Sequence, residues 1–168
     1  MNVHCCLDRL ARLCTALALL AGLSATATEL RPFDAGSLDA IRAAHAGKPF
    51  VLAFWSVYCE PCRDEMPDWG SLQAKYPRVP ILLVATDPPG DRAAVEQMLS
   101  RHPLGQVETW TFADDFAERV RFAIDRRWRG ELPRSYFFDA RHRAVARSGR
   151  LDKPWTRRWL AQQTARKQ

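Results

Sequence analysis

Six consecutive residues, Phe50-Val51-Leu52-Ala53-Phe54-Trp55, are apolar without a break. A strand with one wet face alternates apolar and polar residues, so this run predicts a strand buried on both faces of a sheet. Pro80 opens a second such run, Ile81 to Ala85, and Val107 to Phe112 reads as a further short strand. Tyr136-Phe137-Phe138 is another, and a turn at Ala140 to His142 joins it to Arg143–Arg147, which predicts a hairpin. Helical spacing fills the intervals. Ser37 caps a predicted helix to about Ala46, with Leu38, Ile41 and His45 inward, and Gly47 and Pro49 end it. Met66, Trp69, Leu72 and Tyr76 share one face of a second helix, which Pro61 enters in the first turn and Pro67 is expected to kink. Asp87-Pro88-Pro89-Gly90 is a loop, and a helix with Val95, Met98 and Leu99 follows from about Asp91 to Arg101. Asp114 starts another, carrying Phe116, Val120 and Ile124, and Trp155, Trp159 and Leu160 mark the last. Residues 28 to 35 are expected to be a polar lead-in. Strands alternating with helices and closing on a hairpin describe one α/β domain with a mixed sheet.

The first residues carry a different pattern. Arg9 and Arg12 precede an uncharged stretch from Leu13 to Leu23, and Ala25-Thr26-Ala27 has the small-x-small form of a signal-peptidase site. That stretch is shorter than the roughly 20 apolar residues of a membrane span. Residues 1–27 therefore read as a secretory signal peptide and 28–168 as the domain. An uncleaved anchor would place the domain on the same side of the membrane. Of five cysteines, Cys5, Cys6 and Cys14 fall in the signal segment, which leaves Cys59 and Cys62. One pair so close in sequence constrains almost no chain, so structure explains it poorly and chemistry explains it better. The net charge is +6, of which Asp8, Arg9 and Arg12 contribute +1. A basic surface outside the cytosol suits an anionic membrane or an acidic partner, or is simply a solvated face. The clusters Arg126-Arg127-Trp128-Arg129 and Arg157-Arg158-Trp159 are read as Arg stems packed beside Trp rather than as a nucleic-acid surface.

Cys59-Glu60-Pro61-Cys62 lies between the buried strand and the second helix. Cys59 is then at a helix N-terminus, where unpaired N–H groups and the macrodipole favour an anion. The thiolate, not the thiol, attacks a disulfide, and this setting lowers a free cysteine's pKa from about 8.5. Cys62 is about one turn further on, nearer the interior. Cys59 is thus predicted to attack a partner's disulfide and Cys62 to resolve the mixed disulfide. Structural zinc calls for about four ligands. After the signal segment no second pair is found, and His45, His102 and His142 are scattered.

The stretch Phe54-Trp55-Ser56-Val57-Tyr58-Cys59-Glu60-Pro61-Cys62-Arg63-Asp64-Glu65-Met66-Pro67 resembles the active-site signature of the TlpA/ResA-like thioredoxins. In that family a Trp, two residues and an aromatic precede C-x-P-C, then two residues, Glu, one residue and Pro. The order of elements from about 34 to 166 resembles it too, and Leu132-Pro133 looks like the family's cis-proline loop. The resemblance implies a single thioredoxin-like domain with a mixed central sheet flanked by helices. It implies Cys59 as nucleophile, Cys62 as resolving thiol and Pro133 as a cis-proline facing them, with Trp55, Tyr58, Glu60, Pro61 and Leu132 around the partner site. Cytosolic thioredoxins carry a buried Asp where this chain has Ala53, which turns attention to Glu65, one turn beyond Cys62. A carboxylate there can take the Cys62 proton if burial raises its pKa, whereas a Glu on the helix surface would do nothing.

Tyr58 stands where the family more often has Trp, and Glu60 opposes a thiolate at Cys59. The strongly oxidising relatives carry a His between their cysteines, and this chain does not. An extracytoplasmic reductant of protein disulfides is therefore expected, in cytochrome c maturation or copper-site assembly for example. Its partners would be a disulfide-bearing client and an upstream membrane thiol donor, with no cofactor. The alternative is a Cu(I)-binding chaperone using Cys59, Cys62 and His142, since soft thiolates suit Cu(I).

Overall fold

A computed structural model describes residues 29–165. The expected signal segment and its three cysteines lie outside the described residues. A single sheet of six strands has the order β1 (Leu30–Phe33), β4 (Glu108–Phe112), β3 (Ile81–Ala85), β2 (Phe50–Trp55), β5 (Arg134–Phe138), β6 (Ala144–Ser148). β1, β4, β3 and β2 run parallel, while β5 is antiparallel to β2 and β6 to β5. The helices are α1 (Ser37–Ala44), α2 (Glu60–Lys75), α3 (Arg92–Ser100), α4 (Ala117–Ile124) and α5 (Lys153–Ala165). None of them is long and apolar enough to cross a membrane.

The unbroken apolar run of β2 has the expected cause. Its alternate residues divide between two cores. Val51, Ala53 and Trp55 join Met66, Trp69 and Leu72 of α2 and Trp159 and Leu160 of α5 on one face. Phe50, Leu52 and Phe54 join Leu38 and Ile41 of α1 and Val120 of α4 on the other. That second core is aromatic: Phe50 stacks on Phe138 at 4.5 Å between centroids, and Phe54 meets Trp128 at 4.7 Å. Each such pair adds about 0.5–1.5 kcal/mol beyond simple burial. The Phe54–Trp128 contact also ties the loop before β5 to the strand that ends at Trp55.

Three expectations need correction. The lead-in is not irregular, because Leu30–Phe33 is an edge strand whose Phe33 is fully buried. Two apolar residues flanking Arg31 and Pro32 gave too short a pattern to read. Ser37 is the first residue of α1 rather than its cap; its hydroxyl instead accepts the Asp34 N–H and donates to the Asp34 carboxylate. Asp114 likewise closes a turn onto the Phe116 N–H, so α4 begins only at Ala117 and Phe116 is exposed. Asx turns and helix caps draw on the same residue types, which is why the two were confused. α3, by contrast, begins at Arg92 with Asp91 as its N-cap, within a residue of the expected start, after the 3-10 turn Pro89–Asp91.

α2 runs through Pro67 to Lys75. It also contains Gly70, which helix propensity disfavours by about 1 kcal/mol. The reason is a crossing chain: a Cβ built there would meet the Pro103 carbonyl oxygen at 2.3 Å. Gly70→Ala is therefore expected to lose stability despite its better propensity, by about 1–3 kcal/mol from overpacking against rigid backbone. Urea unfolding checks this, and a gain in stability would show that the 103–104 segment yields freely.

Candidate active site

Cys59 is the N-cap of α2, and its carbonyl accepts the N–H groups of Cys62 and Arg63, both at 3.1 Å. Its sulfur accepts from the Cys62 N–H at 3.3 Å, so a helix-terminal donor already points at the atom that must carry negative charge. The two cysteines are bonded, with the sulfurs 2.01 Å apart. Cys59 is half-buried, whereas Cys62 is only 2% exposed. Tyr58, 74% exposed, forms a rim, and its hydroxyl donates to Asp91 at 3.2 Å. Glu60 is exposed at the first position of α2, and Pro61 lies in the first turn.

Behind the pair is a cavity of about 10 Å³, room for one water, lined by Cys62, Glu65, Ala53, Trp55, Trp69 and Pro133 among others. Glu65 is 5% exposed, and its carboxylate accepts the Leu151 N–H. Burial pushes its pKa up, against the Leu151 hydrogen bond and the nearby Arg150 charge, which lower it. Ala53 and Glu65 line this cavity together, from β2 and α2. Trp55 is 3% exposed and packs under the motif, so it supports the partner site rather than forming its surface.

The Leu132–Pro133 bond is cis, and Pro133 is buried against the same cavity as Cys62. The loop that carries it is held on both sides. Trp128 donates its indole N–H to the Glu131 carbonyl at 3.0 Å, and the Gly149 N–H donates to the Pro133 carbonyl at 2.9 Å. Arg134, next in sequence, pairs with Asp125 at 3.0 Å and Glu131 at 3.1 Å. Leu132 lies between these anchors, partly exposed. Cys59, Cys62, Glu65 and Pro133 are thus brought together, with Tyr58, Glu60, Pro61 and Leu132 around them.

His142 is not among them. It packs edge-on against Phe50 at 5.3 Å, and its Nε2 meets the His45 carbonyl at 3.0 Å. Phe50 is at the far end of β2, roughly 16 Å from the motif at about 3.3 Å per residue. A groove of about 1050 Å³ is at that far end too, bordered by His45, Lys48, Pro49, Arg78 and Pro80. It holds none of the chemistry. Exchange with a protein disulfide needs an accessible sulfur rather than a deep pocket.

Sequence reasoning missed Asp87, which is 2% exposed directly behind the turn leading to Cys59. It accepts from the Ser56 hydroxyl at 2.7 Å and the Val57 N–H at 3.1 Å. The one signal is an acid two residues past a buried strand, and the Pro-Pro-Gly after it makes the stretch read as a plain loop.

No protein-family model matches the chain. It is similar to the thiol-disulfide oxidoreductase ResA of Oceanobacillus iheyensis, 34% identical over 58 residues, which are 34% of this chain and 30% of that protein. It is similar also to the soluble secreted antigen MPT53 of Mycobacterium tuberculosis, 36% identical over 84 residues, 49% of this chain and 43% of that one. The chain thus matches about half or less of the length of such relatives. Among solved structures, a secreted Mycobacterium tuberculosis disulfide oxidoreductase homologous to E. coli DsbE superposes with a TM-score of 0.58 at 22% identity. The match covers 71% of this chain and 85% of that one. A thiol:disulfide interchange protein from Chlorobium tepidum superposes at 0.57 with 19% identity, over 72% and 83% of the two chains. By its fold the chain is thioredoxin-like, and around its cysteines it is similar to the ResA thiol-disulfide oxidoreductases.

Proposed function

We propose that this protein is an extracytoplasmic thiol–disulfide oxidoreductase that reduces protein disulfides. The observation that carries the proposal is the asymmetric pair: Cys59 accessible at a helix N-terminus, Cys62 buried behind it beside Glu65. In the reduced protein the Cys59 thiolate attacks one sulfur of a client disulfide, and the client's other sulfur leaves as a thiolate. The Cys62 thiol then gives its proton to Glu65 and attacks the Cys59 sulfur. The Cys59–Cys62 disulfide forms, and the second client thiolate departs. Two electrons pass to the client, and an upstream thiol donor at the membrane must return them. An extended client segment would dock along the Leu132–Pro133 loop, whose Pro133 lines the same cavity as Cys62.

Location outside the cytosol is supported by the N-terminal segment and by a relative described as a soluble secreted antigen. The reducing direction is supported by Glu60, whose charge disfavours a thiolate at Cys59, and by the absence of a His between the cysteines. Equilibration with glutathione buffers tests it. The potential is expected nearer the about −270 mV of thioredoxin than the about −120 mV of strong oxidants. A value above about −180 mV would reverse the direction. No exchange with any test disulfide would remove the activity itself.

A further inference from the structure

The turn from β2 into α2 has no regular secondary structure, yet it must place Cys59 over the helix end. The N–H groups of Val57, Tyr58 and Cys59 all have partners, and those of Val57 and Tyr58 lead to one side chain. The Val57 N–H donates to both carboxylate oxygens of Asp87, at 3.1 and 3.3 Å. The Ser56 hydroxyl donates to Asp87 at 2.7 Å and so turns its lone pairs toward the Tyr58 N–H, which donates to it at 3.1 Å. The Cys59 N–H donates to the Ser56 carbonyl at 3.1 Å. Arg63 closes the turn from the helix side, its guanidinium donating to the Val57 carbonyl at 3.0 Å.

Asp87 itself is held close to a fixed point, because it follows β3 by two residues, and Ile81–Ala85 are wholly buried. No arginine or lysine pairs with its carboxylate among the described residues, and burial pushes its pKa up. A buried carboxylate without a cation is costly unless its hydrogen bonds serve something.

We propose that Asp87 is a positioning residue for the dithiol: through Ser56 and Val57 it holds the turn that aims the Cys59 sulfur at the N-terminus of α2. This rests on the exchange activity proposed above. Its action is geometric, through neutralised N–H and O–H groups, and not a proton transfer.

The variants Asp87→Ala, Asp87→Asn and Ser56→Ala separate this from its rivals. The measurements are the rate constant for attack of reduced protein on a small aromatic disulfide and the pH titration of the Cys59 thiolate absorbance. Asp87→Ala is expected to slow attack about tenfold, because a misplaced reacting group loses rate steeply with distance. Its Cys59 thiol should titrate at higher pH than in the wild type, since the sulfur drifts from the helix end. Asp87→Asn keeps an acceptor for the Val57 N–H and is expected to recover most of the rate. Ser56→Ala leaves the Asp87–Val57 contact intact and loosens only Tyr58, so it folds even if Asp87→Ala does not, and about a threefold loss is expected. Unchanged rates and titration in Asp87→Ala, or in Ser56→Ala if the first fails to fold, would overturn the proposal. So would an Asp87→Asn variant whose Cys59 titrates at lower pH and reacts faster, which would make Asp87 merely an unfavourable nearby charge. If wild-type protein does not attack the disulfide at all, the exchange activity falls instead.

Discussion

Cys62→Ser is expected to stop the protein half-way through its reaction, as a stable mixed disulfide on Cys59. The expectation follows from the different surroundings of two identical side chains. Cys59 is half-buried at the mouth of α2, with a backbone N–H already directed at its sulfur. It keeps everything it needs to attack when Cys62 is changed. Cys62, 2% exposed and bonded to Cys59 in this structure, is the one other thiol among the described residues and stands near enough to break the adduct from inside. An intramolecular thiol so placed acts at an effective concentration far above any thiol in solution, so its loss should slow adduct release by on the order of 10³-fold or more. Non-reducing electrophoresis or intact mass after mixing reduced protein with a disulfide-bearing substrate detects the adduct. Cys59→Ser should give none, since the remaining sulfur is out of a client's reach. Adducts forming on Cys62 at a comparable rate would mean that the nucleophile is misassigned. Turnover by Cys62→Ser at the wild-type rate would mean that another group resolves the intermediate. A serine hydroxyl buried there costs about 1–3 kcal/mol of stability, so Cys62→Ala serves as the companion variant. In cells, the trapped protein also identifies the client.

Much of this architecture was legible because strong local patterns and tertiary packing agree. The run from Phe50 to Trp55 admits one explanation, and its two faces divide between two cores as that explanation requires. Met66, Trp69 and Leu72 fixed the buried face of α2, which in turn fixed where Cys59 and Cys62 stand relative to the interior. What could not be read depends on partners remote in sequence. β1 is a strand only because β4, nearly 80 residues on, offers it a parallel edge. Asp87 serves the active-site turn from 30 residues away, and nothing in Asp-Pro-Pro-Gly reveals the turn it faces. Glu65 could be placed on the same side of α2 as Cys62 by spacing alone. Its burial depends on Leu151 and the loop before α5, 86 residues distant. His142 shows the converse, since a late histidine in the sequence turned out to be packed on Phe50 at the wrong end of the sheet.

Glu65→Gln should separate the catalytic value of that buried acid from its cost in stability. As a base, the carboxylate must be ionised before it can take the Cys62 proton, and desolvation makes it a stronger base than an exposed glutamate. Gln keeps the shape and can still accept the Leu151 N–H, but it cannot bind the proton. Resolution of a preformed mixed disulfide is therefore expected to slow about 10²-fold near neutral pH, while the first attack by Cys59 is unchanged. With the base gone, the rate should follow ionisation of the Cys62 thiol itself. A buried thiol titrates above its usual value of about 8.5, so the two proteins should converge only in alkaline solution. The stability effect has the opposite sign. A carboxyl whose pKa is higher folded than unfolded holds its proton more tightly in the native state, so the native state is favoured at low pH. That advantage is lost as pH rises through the folded pKa, and above it an ionised carboxylate remains buried. Gln never ionises. The melting temperature of Glu65→Gln should match the wild type in acid, below the usual glutamate range, and exceed it increasingly as pH passes through Glu65's raised value. A slower resolution step together with a more stable fold is what a functional buried acid predicts. If resolution at neutral pH stays within about twofold of the wild type, Glu65 is not the base, whatever its stability does. If melting is instead lowered at neutral pH, the ionised carboxylate is favourably held, and the fold rather than the chemistry accounts for its burial.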